Sequence, residues 1–172
     1  MSSKKRTTAK QKDAKPALVP KLRFPEFRGA HGWEIEPLGQ LADYQNGKAY
    51  EQYISENGKF VVVNSRFIST DGAVRKYTNA DFLIAKSGEV LMVLSDLPNG
   101  RALAKCYYVE VDERYAVNQR VCQLRPKRIE GKFLYVYVES ASEPLSVRRW
   151  FKPNTSQQSR GRRMRAVCSV TK

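Results

Sequence analysis

Two short runs, Phe60-Val61-Val62-Val63 and Val90-Leu91-Met92-Val93-Leu94, constrain the fold of this chain more than any other feature. Both are short, largely β-branched or aliphatic, and punctuated by Asn57-Gly58, Asn64 and Pro98-Asn99-Gly100, so they suit strands buried on both faces. Neither these runs nor the apolar stretch 133–138 approaches the ~18 consecutive apolar residues of a membrane span. With 172 residues, 41% hydrophobic and 28% charged, the chain has material for one packed domain and little room for a second.

Further elements follow from local pattern. Pro37 suits the first residue of a short helical turn that places Leu38 and Leu41 on a core and stops before Asn46-Gly47. Asp71-Gly72 marks a turn, and residues 80–88 make a helical turn or an extended piece before the strand 89–94. Residues 102–111 and 115–124 read as two strands paired antiparallel through Asp112-Glu113-Arg114, the second alternating along its length. Phe133, Leu134, Tyr137, Val138, Ala141 and Leu145 fall at helical spacing across 132–145. Leu22, Phe24, Phe27, Trp33 and Ile35 place the start of compact structure near Pro20. The expectation is an α+β fold with short, mostly antiparallel strands, a few helices and long polar loops.

The formal charge of +14 is unevenly spread. Residues 1–25 carry +7, residues 148–172 carry +8, and the segment between them carries −1. Residues 1–20 lack apolar periodicity and a signal-peptide core, so they read as a disordered basic arm, and 158–172 read as a basic, disordered tail around a domain at 21–157. Such arms attract phosphate by counterion release but cannot read bases.

Catalytic chemistry has little to work with. The nucleotide-binding, zinc-protease and nucleophile-elbow motifs are absent, His31 is the sole histidine, and Cys106, Cys122 and Cys168 lack metal-site spacing. Cys106 and Cys122 read as buried small apolar residues, and three cysteines without a framework point to a reducing, cytoplasmic setting. Asp112, Glu130 and Lys132 are compatible with a Mg²⁺ nuclease, against the simpler reading of Glu130 as a solvated turn residue favouring a helix N-terminus.

What remains is a set of loops with fork donors and amides beside aromatics: Asn46-Gly47-Lys48 with Tyr50, Asn64-Ser65-Arg66-Phe67, Arg75-Lys76-Tyr77, Asn99-Gly100-Arg101 and Asn118-Gln119-Arg120. Arginine matches guanine and asparagine or glutamine matches adenine in the major groove. Lys48, Arg66, Arg75, Lys76, Tyr77, Arg101 and Gln119 are therefore the candidate DNA contacts, while Asn118-Gln119-Arg120 serves equally well to hold strands together.

The segment Pro20-Lys-Leu-Arg-Phe-Pro-Glu-Phe27, then Gly32-Trp-Glu34 and Pro37-Leu-Gly-Gln-Leu41, resembles the opening of the specificity (S) subunit of type I restriction-modification enzymes. Lys86-Ser-Gly-Glu-Val-Leu91 with Leu94-Ser-Asp96, residues 115–126 with their Asn-Gln-Arg run, and Phe133-Leu-Tyr-Val-Tyr137 are similar to later blocks of that family, in order, over about residues 20–157. The resemblance implies a non-catalytic target recognition domain that reads one half of a split sequence in double-stranded DNA. It implies no cofactor in this chain: S-adenosylmethionine, ATP and Mg²⁺ would act on the methyltransferase (M) and restriction (R) partner subunits. After Thr155-Ser-Gln157, where the family continues into a spacer helix and a second recognition domain, a short basic tail follows, which is the expectation for a truncated or frame-shifted subunit. The alternatives are a general basic nucleic-acid-binding protein acting through its arms, and the small Mg²⁺ nuclease.

Overall fold

The computed structural model describes residues 19, 21–30, 32, 34–96, 101–140 and 165–168. In chain order it forms a 3-10 turn at Pro25–Phe27, β1 (Glu34–Pro37), α1 (Leu38–Leu41), β2 (Ala42–Asn46), a 3-10 turn at Glu51–Tyr53, β3 (Phe60–Val63), α2 (Ser65–Ser69), β4 (Tyr77–Thr78) and β5 (Ile84–Ala85). There follow β6 (Val90–Val93), β7 (Cys106–Tyr108), β8 (Tyr115–Val117), β9 (Val121–Pro126), α3 (Gly131–Ser140) and β10 (Arg165–Cys168). The strands make an antiparallel four-stranded sheet ordered β2-β9-β6-β7, a second four-stranded sheet ordered β4-β3-β8-β5, and a ribbon of β1 with β10. In the second sheet β3 and β8 run parallel and the outer strands run antiparallel to them.

The period-2 geometry of the two apolar runs explains the layering. Along β6, Val90 and Met92 face α3 together with Cys106, Cys122, Leu124, Leu134 and Val138. Leu91 and Val93 face the other way, into a layer shared with Val61, Val63, Phe67, Tyr115 and Val117 between the sheets. Along β3 the remaining faces, Phe60 and Val62, pack with Tyr50 and Ala116. Every residue of both strands is buried, because each sheet is covered on both sides. Each fully buried valine or leucine contributes about 1.5–3 kcal/mol. Leu134 and Val138, one turn apart, bury the inner face of α3, and Glu130 starts that helix by accepting from the Lys132 and Phe133 amides at 2.9 and 2.8 Å. Residues 141–145 of the expected helix lie outside the described residues.

Several expectations are corrected. Residues 115–124 are two strands in different sheets, divided at Asn118-Gln119-Arg120, where the Val121 amide donates to the Asn118 carbonyl at 2.9 Å. The expected alternation is replaced by unbroken burial at 115–118 and 121–124, since both strands are sandwiched. Only Cys106–Tyr108 of the run 102–111 is a strand, and it pairs with β6 rather than with β8. Asp112-Glu113-Arg114 is thus a crossover between sheets, and the Tyr107 hydroxyl joins the layers by donating to the Tyr115 hydroxyl at 2.8 Å. Pro37 ends β1 in extended conformation, one residue before α1. Ala42–Asn46 is a strand that sequence periodicity did not reveal, because on this sheet edge only Ala42 is buried.

Leu22, Phe24 and Phe27 do not open the core near Pro20: they stand 91%, 70% and 50% exposed, and among the residues whose burial is described the buried apolar ones begin at Leu38. Arg165–Cys168, expected in a disordered tail, pair with β1 in the register Glu34 to Cys168 through Pro37 to Arg165. The remainder of the arm 1–20 and of the tail 158–172, apart from Val19, lies outside the described residues, as do His31 and Trp33. Cys106 and Cys122 are buried free thiols. Burial pushes Cys122 up to about 12 and Cys106 well above its ordinary value, so both stay protonated and chemically inert at neutral pH.

Candidate nucleic-acid interface

Strand direction gathers the polar loops at one edge. β3 and β8 point the same way, so Asn64 and Asn118 leave the sheet side by side, and the Asn118 amide donates to the Val63 carbonyl at 3.1 Å. β9 starts from the turn that ends β8 and runs antiparallel to β6 and β2, which brings the ends of those two strands to the same edge. The Leu94 amide accordingly donates to the Arg120 carbonyl at 2.9 Å, and Gly47 and Lys48 donate to Val121 and Val117 carbonyls at 2.9 Å each. Residue 47 must be glycine here, since a Cβ would lie 1.9 Å from the Asn118 carbonyl oxygen. β4 runs back from this edge, Val61 facing Tyr77 and the Val62 amide donating to the Lys76 carbonyl at 2.8 Å, which leaves Arg75 beside the end of β3.

Four of the five anticipated loops thus meet as whole segments, and the described part of the fifth, Arg101, is held there by its neighbour Ala102, whose amide donates to Asp96 Oδ2 at 2.8 Å. Lys48, Arg66, Arg75, Lys76, Arg101 and Gln119 are exposed along this edge. Asn64 caps α2 by accepting from the Phe67 amide at 2.9 Å, which fixes the helical turn that carries Arg66. The Arg75 Nε donates to the Gly72 carbonyl at 2.8 Å, in the turn where Asp71 and Gly72 both adopt positive φ. Tyr77 is half-buried in β4, one step in from the edge, and packs on the layer between the sheets. Asn99 and Gly100 lie outside the described residues.

Two aromatic companions of these loops belong to the interior. Tyr50 is fully buried, its hydroxyl accepting from the Leu83 amide at 2.8 Å and facing the Leu83 carbonyl at 3.3 Å, and Phe67 is 2% exposed. Asn118 is 7% exposed and holds strands together: its Oδ1 accepts from the Arg120 amide and its Nδ2 donates to Glu51 Oε1 at 3.3 Å.

Sequence reasoning missed three residues near this edge. Glu51, in the 3-10 turn after Lys48, also accepts from Gln119 Nε2, at 3.0 Å. Hydrogen bonding by its own backbone amide, helped by the side chains of Asn118 and Gln119, holds the Glu51 carboxyl below the usual range, so it is ionised at neutral pH. Phe82 and Tyr53, each 49% exposed, form an edge-to-face pair with centroids 4.9 Å apart on the flank of β5, Phe82 falling in the stretch 80–88 expected as a helical turn or an extended piece. Nothing in the local sequence around Glu51 predicts its partners, which lie 67 and 68 residues away.

The edge is therefore net cationic, carrying exposed Lys48, Arg66, Arg75, Lys76, Arg101 and Arg120 against Glu51, Asp71 and the half-buried Asp96. The opposite edge mixes Lys86, Glu110, Asp112, Glu113, Arg114, Lys127, Arg128 and Glu130. The near-neutral central segment is polarised by its fold. Asp112 accepts from the Ser87 amide at 2.8 Å and Glu130 uses both oxygens on the start of α3, so the carboxylates weighed for a nuclease serve backbone amides. Among the described residues no group of three or more His, Cys, Asp or Glu side chains is placed to hold a metal ion. No helix among them is long and apolar enough to cross a membrane.

A family model described as the type I restriction modification DNA specificity domain matches residues 30–161. No curated protein matches the chain. Among solved structures, the chain is similar to an HsdS subunit from Thermoanaerobacter tengcongensis, at 18% identity and TM-score 0.52 over 74% of this chain and 31% of that one. It is similar to a type I restriction-modification S subunit from M. genitalium, at 14% identity and TM-score 0.54 over 86% and 36%. A structure concerned with complex assembly and conformational transition of the type I R-M system gives 18% identity and TM-score 0.55 over 76% and 32%. The chain spans about a third of the length of each, and at these identities the likeness is one of fold.

Proposed function

The chain belongs to the family of type I restriction-modification DNA specificity domains, and from that premise we propose that it is a target recognition domain whose cationic, loop-bearing edge reads one half of a split sequence in double-stranded DNA. The observation that carries this reading is the convergence of Lys48, Arg66, Arg75, Arg101 and Gln119, from five separate segments, on a single edge of the paired sheets. A rigid two-sheet scaffold presenting loops at one edge suits recognition, because the loops are free to vary while hydrogen bonds to strand ends fix their positions. Arginines on such loops supply both phosphate contacts, which set register, and bidentate donors to guanine, which supply specificity. The basic segments at either end add sequence-blind attraction to phosphate and complement this role.

In this reading the chain performs no catalysis and carries no cofactor. It supplies the address, while a methyltransferase (M) subunit with S-adenosylmethionine, and a restriction (R) subunit with ATP and Mg²⁺, act on the DNA in the cytoplasm.

Selection from a random duplex pool at near-physiological salt, with the intact chain, tests the proposal. The expected result is enrichment of one short half-site, bound more tightly than random duplex by ~4 kcal/mol or more. Binding that enriches nothing and weakens steeply with salt would assign the activity to the basic ends alone.

A further inference from the structure

Glu51 is an exposed anion on a net cationic edge, and its setting points to a purpose beyond joining two turns. Asn118 Nδ2 and Gln119 Nε2 both donate to the same oxygen, Oε1, at 3.3 and 3.0 Å. Oε2 takes no side-chain donor among the described residues, and the backbone amides of Glu51 and Tyr50 add to the hold on the carboxyl. The carboxylate is exposed and stands next to Lys48 and Gln119, two of the residues through which the edge is read as DNA-facing. Its anchor does not move easily. Asn118 is buried, its amide is bonded to Val63, and its carbonyl abuts Gly47.

A carboxylate on a DNA-facing edge is repelled by phosphates and finds its favourable partner on a base edge. The major groove presents two exocyclic amino donors, cytosine N4 and adenine N6, and glutamate or aspartate suits the first. Fixing one oxygen in advance removes the rotamer freedom that a free glutamate would lose on binding, which raises the selectivity of the contact. We infer that Glu51, held by Asn118 and Gln119, is a specificity-determining acceptor for an exocyclic amino group in the major groove, cytosine first. This rests on the reading of the edge as the DNA-contacting surface.

The test compares the intact chain with its Glu51→Gln and Glu51→Ala variants in random-duplex selection at near-physiological salt, with a thermal melt of each. Wild type is expected to enrich a half-site with one position whose amino-bearing base, when replaced, costs about tenfold in affinity. In both variants the preference at that position alone should vanish, or reverse in Glu51→Gln, whose amide can donate. A lost cytosine or a lost adenine tells the two bases apart. Variants that keep every letter of the wild-type half-site, even with weaker binding or a lower melting temperature, overturn the inference and leave Glu51 a structural tie. A wild type that enriches no half-site overturns the reading of the edge itself, and the inference with it.

Discussion

Replacing Lys48, Arg66 and Arg101 together by alanine is expected to lower affinity for duplex DNA by of order tenfold or more and to make the fall of log K with log salt shallower by roughly 3. All three side chains are exposed on the loop-bearing edge. None donates a side-chain hydrogen bond elsewhere in the described structure, so the triple variant should fold normally. The matched control removes the same charge from the opposite edge, at Lys86, Arg128 and Lys132, which are also exposed. Its affinity should stay within a factor of a few of wild type, because charges more than a Debye length from the DNA, ~8 Å at physiological salt, act only weakly. Fluorescence anisotropy across a salt series gives both quantities. Equal losses in the two triples would mean that net charge, rather than a particular edge, governs binding.

The second large effect is structural. Gly47→Ala would bring a methyl group to within 1.9 Å of the Asn118 carbonyl oxygen, 2.5 Å of its carbon and 2.7 Å of the Val117 carbonyl oxygen. All three atoms are backbone, so the loop after β2 must lift away from the turn between β8 and β9. That movement breaks the hydrogen bonds from Gly47 and Lys48, each worth ~1 kcal/mol, and adds overpacking strain of about 1–3 kcal/mol. A loss of ~3 kcal/mol in a urea melt is expected, together with loss of sequence selectivity, since Lys48 and Asn118 separate. Gly39→Ala is the contrast: it sits exposed in α1 with nothing within 4 Å of the added carbon, and the change there should be neutral or stabilising by up to ~1 kcal/mol.

Burial periodicity made part of this fold legible. β3, β6 and α3 announce themselves because Phe60–Val63, Val90–Val93 and the Leu134 and Val138 pair must each find an apolar face. β2 was illegible because an edge strand with one buried residue carries no apolar pattern. The break between β8 and β9 was illegible for the opposite reason: both flanks are buried so completely that the local sequence reads as one continuous strand, and only the pairing of β8 with β3 and of β9 with β6 separates them.

The candidate site divides in the same way. Residue type flagged Lys48, Arg66, Arg75, Lys76, Arg101 and Gln119 as donors, but their meeting on one edge is a product of long-range register, above all the parallel β3 and β8. Tyr50 and Phe67 looked like surface aromatics beside basic residues, yet each closes a core layer. Glu51 carried no signal at all, since its role depends on Asn118 and Gln119, which the fold alone brings to it.

The measurement that tests the central claim most directly is amide hydrogen exchange of the intact chain, free and bound to its selected duplex. Slowed exchange is predicted at 46–51, 64–76, 101–104 and 118–120, with 86–89, 110–114 and 127–131 unchanged. Protection confined to the second group, or spread evenly over both edges, would contradict the assignment of the loop-bearing edge as the surface that reads DNA.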